Sequence, residues 1–291
     1  MFEGVLPAII TPFTDSGEVD DAGLRRNIAF LGEAGVSGIV PTGTTGESAT
    51  LTFEEHKRVV RIAVESSKVP VIAGTGSNST EEAIELTKDA EDVGADGALL
   101  ITPYYNKPND RGMLAHFKKV AESCELPIIV YNVPSRTGIN LKPELVAKLA
   151  DIENVVGIKE ASGDISQVSR VIELTSDKDF EVLSGDDNLT LPIMSLGGVG
   201  VISVVANVVP KRMVAMVDAM RKGDLELARK IHFQISPLMR AMFLETNPIP
   251  VKAACGLKGL AAGPLRLPLA PLSEDNLRIL REQLVKLGEI R

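Results

Sequence analysis

The chain has no tryptophan, three tyrosines, three histidines and two cysteines among its 291 residues. Each scarcity narrows the chemistry. Cys124 and Cys255 are far apart and form no CxxC pair. That excludes a disulfide scaffold and fits a reduced, intracellular chain. His56, His116 and His232 are scattered without HExxH or HxxxH spacing, so no metal site is expected from them. Basic residues are in deficit, with 31 Lys and Arg against 39 Asp and Glu and a formal net charge of −8. The chain lacks the basic face a nucleic-acid binder needs. Long apolar runs are also missing. The one charge-free stretch, 191–209, is broken by Gly197, Gly198, Gly200 and Asn207. It reads as a helix end, a turn and a buried strand, not a membrane span. The N-terminus MFEGVLPAIITPF has no basic region and carries Glu3, unlike a secretory signal, so the expected location is cytoplasmic.

What is present is an ordinary globular balance, 44% hydrophobic and 24% charged. Eight short apolar runs recur, at 5–10, 37–41, 69–74, 97–102, 126–132, 154–160, 180–186 and 200–207. They are apolar throughout, as parallel strands buried on both faces are. Amphipathic helical stretches lie between them, including 21–34, 53–66, 80–93, 112–122 and 142–149. Thr52 and Ser79 stand as N-caps before acidic first turns, and Gly35 and Gly94 where helices end. The helices after the fifth and seventh strands are short.

Eight βα units imply an α/β fold, a (β/α)8 TIM barrel spanning 1–222. Beyond Pro210 the pattern is purely helical, over 211–220, 225–243, 250–255 and 274–287. The first of these closes the barrel. The others form a C-terminal helical extension, 223–291.

Barrel enzymes carry their chemistry at the C-terminal ends of the strands. All three tyrosines, Tyr104, Tyr105 and Tyr131, fall at or just past a strand end. They are either packed aromatics or hydroxyls able to relay protons. Lys159 ends the otherwise apolar run VVGIK. It either snorkels to solvent or faces the barrel mouth, where desolvation would leave a neutral amine able to attack a carbonyl. GTTGES (43–48) follows the second strand. It lacks a P-loop lysine, but its hydroxyls and N–H groups suit a carboxylate. Arg136 follows the fifth strand and is either a surface arginine or a carboxylate clamp. Together these groups suit carbanion chemistry beside a keto acid. The amine turns the ketone into an iminium electron sink, a hydroxyl relay moves protons, and neither metal nor organic cofactor is required.

The motifs GTTGES (43–48), TPYYNKP (102–108), YNVPSRTG (131–138), GIKEASG (157–163), LSGDD (183–187), GVISV (200–204) and NPIPVK (247–252) resemble the dihydrodipicolinate synthase family nearly end to end. The resemblance implies a pyruvate-dependent, Schiff-base-forming lyase of lysine and diaminopimelate biosynthesis. Pyruvate would condense with L-aspartate 4-semialdehyde. Lys159 matches the Schiff-base lysine and Tyr131 the proton donor and acceptor. Thr44 and Tyr105 match the rest of the relay, with Tyr105 serving a neighbouring subunit. Thr45 and the backbone of Ile202 match the pyruvate carboxylate pocket, and Arg136 the semialdehyde clamp. The family is usually a homotetramer, a dimer of dimers.

N-acetylneuraminate lyases and 2-keto-3-deoxy sugar acid aldolases share the lysine and the YN-P turn, but usually lack an arginine at the Arg136 position. A degenerate, non-catalytic keto-acid or lysine sensor and a metal-dependent aldolase are further alternatives. The intact Lys159, Tyr131, Thr44 and Tyr105 disfavour the first, and the scattered histidines the second. Lysine-inhibited members bind lysine at positions matching Ser48, Ala49, His56, Asn78, Glu82 and Tyr104. Phe53 stands where sensitive bacterial members often have histidine.

Overall fold

The computed structural model describes residues 1–291. Seven strands make one parallel sheet: β1 (Gly4–Pro7), β2 (Ile72–Gly74), β3 (Gly97–Ile101), β4 (Ile128–Asn132), β5 (Val155–Glu160), β6 (Glu181–Ser184) and β7 (Gly200–Ser203). Their order runs β1-β7-β6-β5-β4-β3-β2, so β1 and β2 would be its edges. The apolar run at 37–41 fills that gap. Ile39 bridges Val71 and Val40 bridges Ala8, both in parallel. Ser37 and Val40 donate to the carbonyls of Val5 and Pro7, and Ile39 donates to that of Pro70. Pro41 and Pro70 supply no N–H, which keeps this segment to isolated bridges. The eighth strand is thus present as two parallel bridges, and the sheet closes into a (β/α)8 barrel.

The helices are α1 (Asp21–Glu33), α2 (Phe53–Ser66), α3 (Thr80–Asp92), α4 (Asp110–Ala121), α5 (Pro134–Thr137), α6 (Pro143–Leu149), α7 (Ile165–Thr175) and α8 (Thr190–Ser195), then α9 (Pro210–Arg221), α10 (Leu225–Ala241), α11 (Ile249–Leu257) and α12 (Glu274–Lys286). Local chemistry sets their starts. Thr52 and Glu55 form a reciprocal capping box on α2. Ser79 and Asp164 cap α3 and α7. The two expected short connections are α5 with α6, and α8.

Two strands end three or four residues before their apolar runs do. The run at 200–207 stops being strand at Ser203, because the Asp187 carboxylate takes the N–H groups of Val204 and Val205 and bends the chain. The run at 5–10 ends as a regular strand at Pro7, keeps a single bridge from Ala8 to Val40, and then turns away where Asn207 donates to Ala8 O and accepts from Ile10 N. Apolarity marks burial, and here buried polar side chains replace the ladder.

The barrel interior holds Leu6, Val40, Ile72, Leu99, Ile129, Tyr131, Leu183 and Ile202 in one cluster. A larger cluster fills the space between sheet and helices. A third joins β1, β7 and α9 to the extension, including Ile235, Leu238, Val251, Leu280 and Leu284. The extension is therefore packed on the barrel by continuous apolar burial. No helix is long and apolar enough to cross a membrane.

Candidate active site

In the β4–β5 ladder, Tyr131 stands opposite Lys159 and Asn132 opposite Glu160. Successive side chains on a strand alternate faces. Tyr131 and Lys159 face the barrel interior, and Asn132 and Glu160 face the helices. On that outer face Glu160 accepts from Asn132 Nδ2, Ser162 N and Gln167 Nε2, and Asn132 Oδ1 accepts from Leu141 N. These bonds fix both strand ends, and hence where Tyr131 and Lys159 stand.

Lys159 is 6% exposed. Its Nζ lies 4.1 Å from the centroid of the Tyr131 ring. Burial pulls its pKa down to about 7, with Asp187 opposing and Arg136 reinforcing the shift. A large fraction is therefore neutral amine at neutral pH. Gly185 makes room for the stem: a Cβ there would stand 3.2 Å from Lys159 Cγ and 2.7 Å from Ala161 Cβ. The Tyr131 hydroxyl is pushed up to about 12 by burial, so it stays protonated and can donate. Asp187 is buried behind them. Ser203 donates to it at 2.5 Å, and burial raises its carboxyl to about 6.

The GTTGES loop forms a tight turn at Thr44–Gly46, followed by Glu47 at φ 56°. That left-handed conformation is unfavourable for glutamate. It is held by a buried ion pair, in which Lys252 Nζ of α11 meets Glu47 Oε1 at 2.5 Å. Arg266 N donates to the other carboxylate oxygen at 3.1 Å. Lys252 and Arg266 both lie against the Phe13 ring, at 4.0 and 4.2 Å. Thr11 Oγ1 donates to Gly46 O at 2.7 Å. Thr45 is buried, and its Oγ1 accepts from Asn247 Nδ2 at 3.0 Å. Arg136, on α5, donates from Nη2 to Asn247 O at 3.0 Å.

Thr44, Thr45, Tyr131, Arg136 and Lys159 share a cavity of about 390 Å³. It brings together an amine of lowered pKa, a protonated phenol beside it, hydroxyls on one wall and a guanidinium at the rim. That set suits imine chemistry on a carbonyl acid. Ile202 packs in the interior cluster and does not line this cavity. Tyr105 is outside it as well, 90% exposed and at φ 69°. Of the three residues expected to relay protons, the cavity of one chain therefore holds Thr44 and Tyr131.

An adjoining cavity of about 480 Å³ is lined by Ser48, Ala49, His56, Glu82 and Tyr104, together with Phe53. Asn78 does not line it, and its carbonyl accepts from Asn106 Nδ2. His56 Nε2 is 2.8 Å from Gly74 O, and burial lowers its pKa, so it is a neutral ring at pH 7. Glu82 accepts from Ser77 Oγ. The two cavities share Thr44, Tyr131 and Arg136 as walls.

Sequence patterns alone assigned no role to Glu47, Gly185, Asp187, Asn247 or Lys252. All five sit inside the quoted motifs GTTGES, LSGDD and NPIPVK. Lys252, a lone charge in the apolar segment IPVKAAC, was the available signal for a buried partner.

The chain matches the model of the dihydrodipicolinate synthetase family over residues 1–287. A 4-hydroxy-tetrahydrodipicolinate synthase of Methanothrix thermoacetophila is 62% identical over 290 residues, covering 100% of this chain and 98% of that protein. One of Methanosarcina mazei is 64% identical over 288 residues, covering 99% of each. A crystal structure of a dihydrodipicolinate synthase superposes with a TM-score of 0.96 at 58% identity, over 99% of this chain and 100% of that one. From its motifs, its barrel and these relatives, the chain belongs to the dihydrodipicolinate synthetase family.

Proposed function

We propose that the chain acts as a 4-hydroxy-tetrahydrodipicolinate synthase, joining pyruvate to L-aspartate 4-semialdehyde through an imine on Lys159. The observation that carries this reading is the buried Lys159 amine of pKa about 7 against the Tyr131 ring. The neutral amine adds to the pyruvate ketone, and loss of water gives the iminium. The iminium accepts the electron pair left when a methyl proton departs, forming an enamine. The enamine carbon attacks the aldehyde, and the new alkoxide takes a proton. The amine of the semialdehyde then adds to the imine carbon and expels Lys159, closing the ring. Tyr131 and Thr44 exchange the protons of these steps. Thr45 binds the pyruvate carboxylate, and Arg136 binds the carboxylate of the semialdehyde.

Tyr105 completes the relay of a second copy. Its exposed ring and left-handed backbone support that role in a homotetramer built as a dimer of dimers. The barrel, 1–222, and the extension, 223–291, act as one catalytic unit, in the cytoplasm, in lysine and diaminopimelate biosynthesis. The adjoining cavity is the effector site for lysine, contacted by Ser48, Ala49, His56, Glu82 and Tyr104, with Phe53 altering its response.

Arg136→Ala tests the choice of aldehyde. Imine formation with pyruvate is expected to persist, while turnover with the semialdehyde falls about 100-fold. Full turnover in this variant would remove the clamp and reopen the sugar-acid aldolases.

A further inference from the structure

We propose that Asn247, a residue of the extension, is a positioning residue that sets both carboxylate-binding groups of the active site. The proposal rests on the roles given above to Thr45 and Arg136.

Asn247 is 5% exposed and stands on the segment leading into α11. Its side-chain Nδ2 donates to Thr45 Oγ1, and its main-chain oxygen accepts from Arg136 Nη2, each at 3.0 Å. One residue thus touches the pyruvate-side group through its side chain and the aldehyde-side group through its backbone. These two attachments can be separated by substitution.

The direction of the side-chain bond decides what Thr45 can do. A threonine hydroxyl has one proton and two acceptor lone pairs. With Nδ2 donating into a lone pair, the proton stays free for a substrate carboxylate. With the amide turned over, Oδ1 would capture that proton, and Thr45 would present only lone pairs to an anion. In the structure Oδ1 is buried without a partner. A buried unpaired amide oxygen is unfavourable, and such groups call for a functional explanation. Here it is the consequence of aiming Nδ2 at Thr45. Arg136, on the four-residue α5, is likewise steadied by one N–H on Asn247 O, leaving other donors of its fork for a ligand.

The test uses Asn247→Ala and Asn247→Asp in the full-length protein. Both keep the main-chain oxygen that holds Arg136. The aspartate variant keeps the shape but replaces the donor by an acceptor. Half-saturating pyruvate, measured by borohydride trapping, is expected to rise about 10-fold in Asn247→Asp and several-fold in Asn247→Ala. KM for the semialdehyde should change less than about 2-fold in Asn247→Ala. At saturating pyruvate the adduct should still form on Lys159, which separates this proposal from failure of the imine mechanism. Thr45→Val should raise half-saturating pyruvate by itself, and adding Asn247→Ala should then add little. Equal rises in both constants would make Asn247 a merely structural residue, and unchanged pyruvate saturation would overturn the proposal outright.

Discussion

Lys159 at the end of β5 and Lys252 on α11 are 6% and 2% exposed. Their ammonium positions lie 4.1 Å from the Tyr131 ring and 4.0 Å from the Phe13 ring. Burial lowers the pKa of both. They differ in what else they meet. Lys252 has the Glu47 carboxylate at 2.5 Å and the carbonyl of Pro264 at 2.8 Å, and both interactions hold the charged form. Lys159 has only more distant charges around it, of mixed sign. Burial beside an aromatic ring is therefore not what makes a nucleophile. The missing carboxylate is. The barrel keeps a bare amine, the one the proposed mechanism uses as nucleophile, and the extension keeps a paired one that holds the Thr44–Thr45 turn.

The sharpest separation comes from Lys159→Ala. It is expected to lower turnover by about 10³-fold or more while leaving the fold intact, since the imine has no other site. Lys252→Met should act the other way. It leaves the Glu47 carboxylate buried without its partner, at a cost of about 3–5 kcal/mol in urea unfolding. A double change, Lys252→Met with Glu47→Gln, should recover most of that loss, because it removes both charges together. Strong loss of stability in the double variant would contradict the pairing argument. The smallest effect is a pH dependence. Lys159 reacts as the neutral amine, so kcat/KM for pyruvate should rise about 10-fold per unit below pH 7 and level off above it. A rise continuing toward pH 10 would mean that Lys159 keeps an ordinary lysine pKa.

Much of this comparison was legible in the sequence, and unequally so in the two regions. Continuous apolar runs marked the parallel strands, because strands buried on both faces carry no alternation. The cap residues Thr52 and Ser79 placed α2 and α3 to within a residue. Lys159 and Tyr131 stood out as polar groups ending apolar strands, whereas Thr44, Thr45 and Arg136, on turns beyond the strands, owed their roles to the family resemblance. The run at 37–41 was visible, although its short length, Pro41 and the neighbouring Pro70 reduce it to two bridges. The ends of the first and last strands were not visible, because Asn207 and Asp187 cap them from distant positions. The Glu47–Lys252 pair spans 205 positions and Asn247–Thr45 spans 202. No local pattern encodes contacts of that range. Ile202 and Tyr105 stand where the motif places them, but neither lines the cavity of the single chain. For Tyr105, the proposed function assigns the ring to the site of a second copy.

The most direct measurement is reductive trapping. The full-length protein is mixed with pyruvate and borohydride, and the added mass is located by peptide mapping. A single adduct on Lys159, with Lys252 unmodified, is the expected result. An adduct on Lys252, or none on folded protein, would contradict the claim that the unpaired buried lysine is the nucleophile.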